Sequence, residues 1–164
     1  MMIPLPESLV VREATFRDAD ELARLRWRFR IEAGTQRSIT VESFVDEMVS
    51  FVREALGGQQ WKAFVAQRGG RLIGCVWVQF VERVPHPNLR RGERPIAYIT
   101  NMYVEPALRN GGVGGALLDA AVGCARSRGA SGAVLWPSER SVPFYRRAGF
   151  GDEGAPLALP LAGD

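Results

Sequence analysis

Tyr98-Ile99-Thr100-Asn101-Met102-Tyr103-Val104-Glu105-Pro106-Ala107-Leu108-Arg109-Asn110-Gly111-Gly112-Val113-Gly114-Gly115-Ala116-Leu117-Leu118 changes its periodicity once along its length. Ile96 to Val104, rich in β-branched and aromatic residues, predicts a strand. Gly112 to Arg128 places Val113, Leu117, Ala121 and Cys124 on one face and predicts a helix. The join between them, Arg109-Asn110-Gly111-Gly112-Val113-Gly114-Gly115, is a glycine turn opening that helix. Without Cβ atoms, such a turn lets backbone N–H groups approach an anion closely, and the unpaired N–H groups of the helix start add partial positive charge. A short buried strand is expected next, Ala133 to Trp136. Strand, helix and strand in this order imply a parallel pair joined by a right-handed crossover.

Downstream, Val142 to Ala148 predicts a short helix, and Phe150 to Leu161 adds one or two weak strands. Upstream, Leu9 to Ala14 reads as a strand. A helix follows, begun by Asp18 with Glu21 three residues on, with Leu22, Leu25 and Phe29 on one face. A second helix starts after Thr40, an N-cap residue, buries Phe44, Val45, Met48, Phe51 and Val52, and stops at Gly57-Gly58. Trp61 to Gln67 and Leu72 to Val81 are strands joined at Arg68-Gly69-Gly70-Arg71, where a Gly-Gly pair supplies the positive φ of a tight hairpin. The Pro- and Arg-rich connection Glu82 to Pro95 is too long for a simple turn and is either mobile or functional. The resulting order, β-α-α-β-β-β-α-β-α-β, predicts an α/β fold, a mixed sheet covered by helices on both faces. With no repeat, low-complexity tract or linker, 1–164 is expected to be one domain.

Composition narrows the function classes. A chain of 164 residues with 46% hydrophobic and 24% charged residues has the balance of a globular protein. No apolar run is long enough to span a bilayer and Met1 to Glu7 lacks the pattern of a signal peptide, so a cytoplasmic protein without a membrane partner is expected. Cys75 and Cys124 lie in apolar contexts and read as small buried hydrophobes rather than a disulfide. The net charge of +3 comes almost wholly from arginine, since Lys62 is the only lysine. Arginine favours bidentate contacts with carboxylates and phosphates. The cluster Arg24, Arg26, Arg28 and Arg30 nonetheless reads first as a solvated helix face. No aromatic-interleaved basic stripe points to nucleic acid, and no metal site is expected.

The glycine turn can be compared with known phosphate motifs. A Walker loop requires Lys followed by Ser or Thr, and Ala116 and Leu117 stand there instead. A dinucleotide fingerprint finds Gly112 and Gly114, but Leu117 occupies the third glycine position and no acid ends the strand at Leu135-Trp136. A ligand-free helix start remains the alternative.

Tyr98 to Arg109 followed by Gly112-Val113-Gly114 resembles the GNAT-type N-acetyltransferase superfamily, whose coenzyme A motif is R-x-x-G-x-G after a strand ending near V-x-P. Pro143-Phe144-Tyr145-Arg146-Arg147-Ala148-Gly149-Phe150 is similar to the F-Y-x-x-x-G-F element of that family. The resemblance covers about Val10 to Phe150 and implies a mostly antiparallel sheet of six to seven strands.

It also implies a ligand and roles. Acetyl-CoA would be the acyl donor, its pyrophosphate on the N–H groups of Asn110, Gly111, Gly112, Val113, Gly114 and Gly115 with Arg109 alongside. The pantetheine arm would lie beside Met102, Tyr103 and Val104, whose N–H groups could stabilise an oxyanion. Ser138 stands where many members have an Asn holding that arm. Tyr145 resembles the family's general acid toward the departing thiolate; its alternative is a half-buried aromatic packed beside Phe144 and Phe150. Direct transfer needs no protein nucleophile, which suits a chain with one histidine. For the base, Glu82, His86, Glu93 and water stay open, and Thr100 and Asn101 could order water. The expected reaction is acetyl transfer to a primary amine of a small molecule or protein; the alternative is a noncatalytic acyl-CoA-binding domain. Arg28, Arg30, Arg37, Arg90 and Arg91 fall in the stretches that form the family's acceptor groove, which raises an acceptor bearing a carboxylate or phosphate. A homodimer is compatible with the family.

Overall fold

The computed structural model describes residues 8–35, 38–84, 87 and 95–152. Strands β1 (Val10–Glu13), β2 (Trp61–Arg68), β3 (Arg71–Val81), β4 (Ile96–Val104) and β5 (Gly132–Val134) form one sheet in that order. The first three pairings are antiparallel and the β4–β5 pairing is parallel. The sheet therefore has five strands among the described residues, not six to seven. Phe150 to Asp152 takes no strand conformation, and the remainder of the stretch expected to pair there lies outside the described residues.

Helices α1 (Ala19–Glu32) and α2 (Val41–Gly57) cover one face; α3 (Val113–Ser127) and α4 (Val142–Arg147) cover the other. The alternation of β3 explains why both faces need covering. Cys75 and Trp77 enter the core with Leu22, Leu25, Val52 and Tyr103, whereas Val76 and Val78 enter the one with Ile99, Val113, Leu117 and Ala121. The crossover from β4 through α3 to β5 is the connection that yields the parallel pair.

Local details follow the sequence with four corrections, one of them in α2: Phe51, expected to be buried, is 40% exposed, its ring against Trp61 and Trp77. Gly69 and Gly70 turn the β2–β3 hairpin at φ 58° and 75°, and the Thr40 side chain caps α2 by accepting from Ser43 N. The start of α1 differs. Thr15 and Asp18 form the capping box, around the single turn Phe16–Asp18, while Glu21 turns away and accepts from Leu72 N at 2.9 Å. An acid on the inner flank of α1 meets an unpaired strand N–H there, and that bond outcompetes the local cap. β5 is half-buried instead of buried, because it is an edge strand with one neighbour, and Trp136 beyond it is 61% exposed. Cys124 is half-buried; Ala125 takes the inward place on α3.

Gly74 in β3 has a function its sequence context hid. A Cβ there would sit 2.8 Å from Tyr103 O and 3.2 Å from a Leu117 methyl. The absence of a side chain is what lets β3, β4 and α3 approach so closely.

Candidate active site

The chain leaves β4 through a single turn, Pro106–Leu108, with Leu108 packed on the core, and enters α3 by way of Asn110 at φ 61° and Gly112 at φ 84°. Gly112 is the N-cap of this 15-residue helix and no side chain caps it. The first-turn N–H groups of Val113, Gly114 and Gly115 therefore have no partner within the helix. A Cβ built on Gly112 or Gly115 would have nothing within 4 Å. Open space, unspent main-chain donors and the positive end of the helix dipole coincide, and together they fit an anionic group such as a diphosphate.

Gly114 joins this turn to the second motif. Its Cβ position lies 3.6 Å from the Phe144 ring and 3.9 Å from the Met102 methyl, so the end of β4, the start of α3 and α4 meet at one point. Tyr145 is next to Phe144, 9% exposed, with ring centres 5.0 Å from Phe144 and 5.8 Å from Phe150. Burial pushes its phenol up to about 12. The group is thus neutral at physiological pH and suited to donating a hydrogen bond rather than to giving up its proton outright. The Ser138 hydroxyl donates to Ser141 Oγ at 3.0 Å in the exposed turn before α4.

β4 itself is irregular where the two motifs converge. Cys75 pairs with Tyr103 and Trp77 with Thr100, so Asn101 and Met102 together oppose Val76 and form a β-bulge. Asn101 has a left-handed backbone at φ 50°. It is held from two sides: Arg26 Nη1 donates to its Oδ1 at 3.0 Å, and the Cys75 thiol donates to its carbonyl at 3.7 Å. Cys75 is fully buried and its thiol is pushed up to about 12 by that burial, which leaves it an inert donor. β5 pairs with β4 only as far as Tyr98 with Val134. From Ile99 to Val104 the β5-side edge of β4 has no strand partner among the described residues, so its main chain is available to an extended ligand.

Arg109 is part of the wall of the turn. Its Nε donates to Val104 O at 2.9 Å, and its two Nη atoms reach Glu32 at 2.6 and 2.8 Å. The guanidinium also lies 5.6 Å from the centre of the Tyr103 ring, itself stacked on Phe29. Hydrogen bonding to Arg109 lowers the Glu32 carboxyl below its usual range, and Arg140 adds a longer contact at 3.4 Å. The arginine of the sequence motif thus ties α1 to the strand–turn junction.

Of the candidate bases Glu82, His86 and Glu93, only Glu82 lies among the described residues. Glu82 follows β3 beside Gln60, Phe80, Pro95 and Arg128, beyond the start of β4 and so at the opposite end of that strand from the glycine turn. His86 and Glu93 lie outside the described residues, as do Arg37, Arg90 and Arg91. Arg28 is bound to Glu105 at 2.8 Å, while Arg30 is exposed. Among the described residues no group of His, Cys, Asp and Glu is arranged to hold a metal, and no helix is long and apolar enough to cross a membrane. Sequence reasoning passed over Asn101 as a conformational residue and Arg26 as its partner. An Asn inside a strand pattern, a residue type that tolerates the left-handed region, was the available signal.

Comparison with known proteins gives this geometry a context. The family model of the acetyltransferase (GNAT) family matches residues 20–150. A glucosamine 6-phosphate N-acetyltransferase from Trypanosoma brucei brucei is 34% identical over 100 residues, covering 61% of this chain and 65% of the relative, so the chain spans just under two thirds of that relative's length. The crystal structure of a predicted acetyltransferase with acetyl-CoA from Clostridium acetobutylicum superposes with a TM-score of 0.78 at 27% identity, over 94% of this chain and 97% of that one. A GCN5-related N-acetyltransferase from Ralstonia eutropha JMP134 gives 0.75 at 28% identity, over 95% and 100%.

Proposed function

Since the chain belongs to the acetyltransferase (GNAT) family, we propose that it transfers an acetyl group from acetyl-CoA to a primary amine by direct attack within a ternary complex. The observation that carries this reading is the meeting of Gly114, Phe144 and Met102, which sets an uncapped helix start, the open edge of β4 and the Tyr145 segment side by side.

Acetyl-CoA supplies an acyl group activated as a thioester. The main-chain donors of Asn110, Gly111, Gly112, Val113, Gly114 and Gly115 hold its diphosphate, with Arg109 fixing the base of the turn through Val104 O. Met102, Tyr103 and Val104 receive the pantetheine arm along the open edge of β4, with Ser138 at its flank. N–H groups of the bulged segment orient the acyl carbonyl and stabilise the negative charge that develops on its oxygen. Tyr145 donates a hydrogen bond toward the departing sulfur; its raised pKa disfavours full proton transfer to a thiolate, whose acid titrates near ~8.5. The attacking amine, with an ordinary pKa of about 10.4 when lysine-like, must reach the site deprotonated. In this reading Thr100 and Asn101, beside and within the bulge of β4, order the water that takes the proton.

Thermal shift with coenzyme A, ATP and NAD, followed by acetyl-CoA consumption over a broad amine panel, tests the proposal. Stabilisation by coenzyme A alone and turnover with at least one amine are expected. Stabilisation by a nucleotide and not by coenzyme A refutes the donor site, and binding of coenzyme A without turnover on any amine refutes the transfer.

A further inference from the structure

Many arginines of the described residues are matched by acids: Arg12 by Asp18, Arg28 and Arg71 by Glu105, Arg109 and Arg140 by Glu32, Arg146 by Asp152. Arg26 differs. It is half-buried on α1, its Nη1 bonds the neutral Asn101 carboxamide, its guanidinium lies 5.6 Å from the Phe29 ring centre, and no acid among the described residues pairs with it. Burial, and then the neighbouring Arg30, lower its pKa, which marks a charge whose hydration has been reduced and not replaced. A guanidinium has five N–H donors, and Asn101 takes one.

The surroundings of Arg26 point outward at the place where β4 and β5 separate. Tyr98 lies three residues before Asn101, the partner of Arg26, and the Tyr98 ring meets Trp136 edge-on at 4.9 Å, with Trp136 61% exposed. Ala97 and Ile99 pack under α3, so Tyr98 between them faces the α1 side, as Arg26 does. A cation with spare donors, a phenol and an exposed aromatic face thus gather on one side of the sheet, next to the bulge.

We infer that Arg26 binds an anionic group on the acceptor, so that the preferred acceptor is an amine that also carries a carboxylate or phosphate, with its apolar part against Tyr98 and Trp136. The inference rests on the acetyl-transfer reading and deepens it. An anion bound by the free edge of the guanidinium replaces the lost hydration and fixes the amine beside the open edge of β4, while Asn101 keeps its bond on the other side. Arg26, not Arg28, is therefore the selective cation of the helix, because Arg28 is already bound to Glu105.

The test uses matched acceptors that differ only in the anion: glucosamine 6-phosphate against glucosamine, and 4-aminobutyrate against butylamine. kcat/KM is measured for the whole chain and for Arg26→Gln and Arg26→Lys, with coenzyme A affinity measured in parallel to show that the variants are folded. The wild type is expected to prefer the anionic member of at least one pair, and the pair with the larger ratio tells phosphate from carboxylate. Arg26→Gln is expected to reduce that ratio roughly 10- to 100-fold, the worth of a charge-assisted hydrogen-bonded pair, mainly through KM, and Arg26→Lys to restore part of it. Equal loss on both members of a pair means that Arg26 only props the bulge and overturns the inference, as does a wild type indifferent to the anion. Either result leaves acetyl transfer standing. A wild type that binds coenzyme A and acetylates nothing sinks acetyl transfer and this inference together.

Discussion

Gly112→Ala separates the folding role of the glycine turn from its proposed ligand role. The residue sits at φ 84° and a Cβ there meets nothing within 4 Å, so the methyl group clashes with no neighbour. Its cost to the free protein is the left-handed backbone alone, about 1–2 kcal/mol, of which lost unfolded-state entropy returns about 0.4–1 kcal/mol. The net of about 1 kcal/mol lowers Tm by roughly 2–4 °C for a chain of this size. The expected effect on coenzyme A is larger, because the methyl enters the open space proposed to hold the diphosphate. Loss of a charge-assisted main-chain hydrogen bond, about 1.5–3 kcal/mol, weakens binding roughly 10- to 100-fold. At coenzyme A near 100 times the wild-type Kd, ligand-linked stabilisation is about 2.7 kcal/mol, and a Kd weakened 50-fold leaves about 0.6 kcal/mol. Differential scanning fluorimetry with and without coenzyme A reads both quantities. Gly129→Ala is the control: it has φ 72° and an equally open Cβ position at the far end of α3, so it should lower Tm similarly and leave the ligand shift intact. A Gly112→Ala protein that loses stability yet gains as much from coenzyme A as the wild type refutes the assignment of the turn.

Tyr145→Phe should lower kcat about 10- to 100-fold with little change in coenzyme A affinity, read by steady-state kinetics and calorimetry. With the phenol pushed up to about 12, the wild type should show no fall in kcat from Tyr145 ionisation below about pH 10. Asp18→Asn should destabilise the fold by about 1–3 kcal/mol in urea titration at pH 7, since Asp18 is 8% exposed and accepts from Arg12 at 2.7 and 2.9 Å and from Thr15 N at 2.7 Å. The hydrogen bond from Arg12 holds its carboxyl below the ordinary value, so the wild-type advantage should be complete above about pH 5 and disappear as the pH falls through the folded-state value. Gly74→Ala, with its Cβ 2.8 Å from a backbone oxygen, should cost about 1–3 kcal/mol and distort the bulge, lowering kcat as well.

The elements legible in the sequence are those whose signal is local. Thr40 and Gly57-Gly58 bracket α2 because caps and stops act within one turn, and Gly69-Gly70 specifies its hairpin because only certain residues accept its φ values. The two motifs of the proposed site are of the same local kind: a glycine turn between strand and helix, which the structure forms as expected, and the Phe144-Tyr145 segment of α4. What the sequence hid is made by distant pairs. Glu21 finds Leu72 N, Arg26 finds Asn101 and Arg109 finds Glu32 across separations of 51, 75 and 77 residues, and no periodicity reports such partners. The bulge belongs to the same class, because an extra residue in β4 is defined only against the register of β3.

The contact between Arg109 and Glu32 makes the first helix a structural tenant of the strand–turn junction proposed to hold the donor. Anyone regrafting that helix to admit a new amine inherits an obligation at its last turn: without an acid at position 32, the guanidinium below the glycine bend loses both Nη contacts and keeps only its Nε bond to Val104 O and its packing on Tyr103. If the turn holds the thioester donor as proposed, the graft would loosen that grip before the new amine ever arrived, and an apparent failure of acceptor design would be a failure of anchorage.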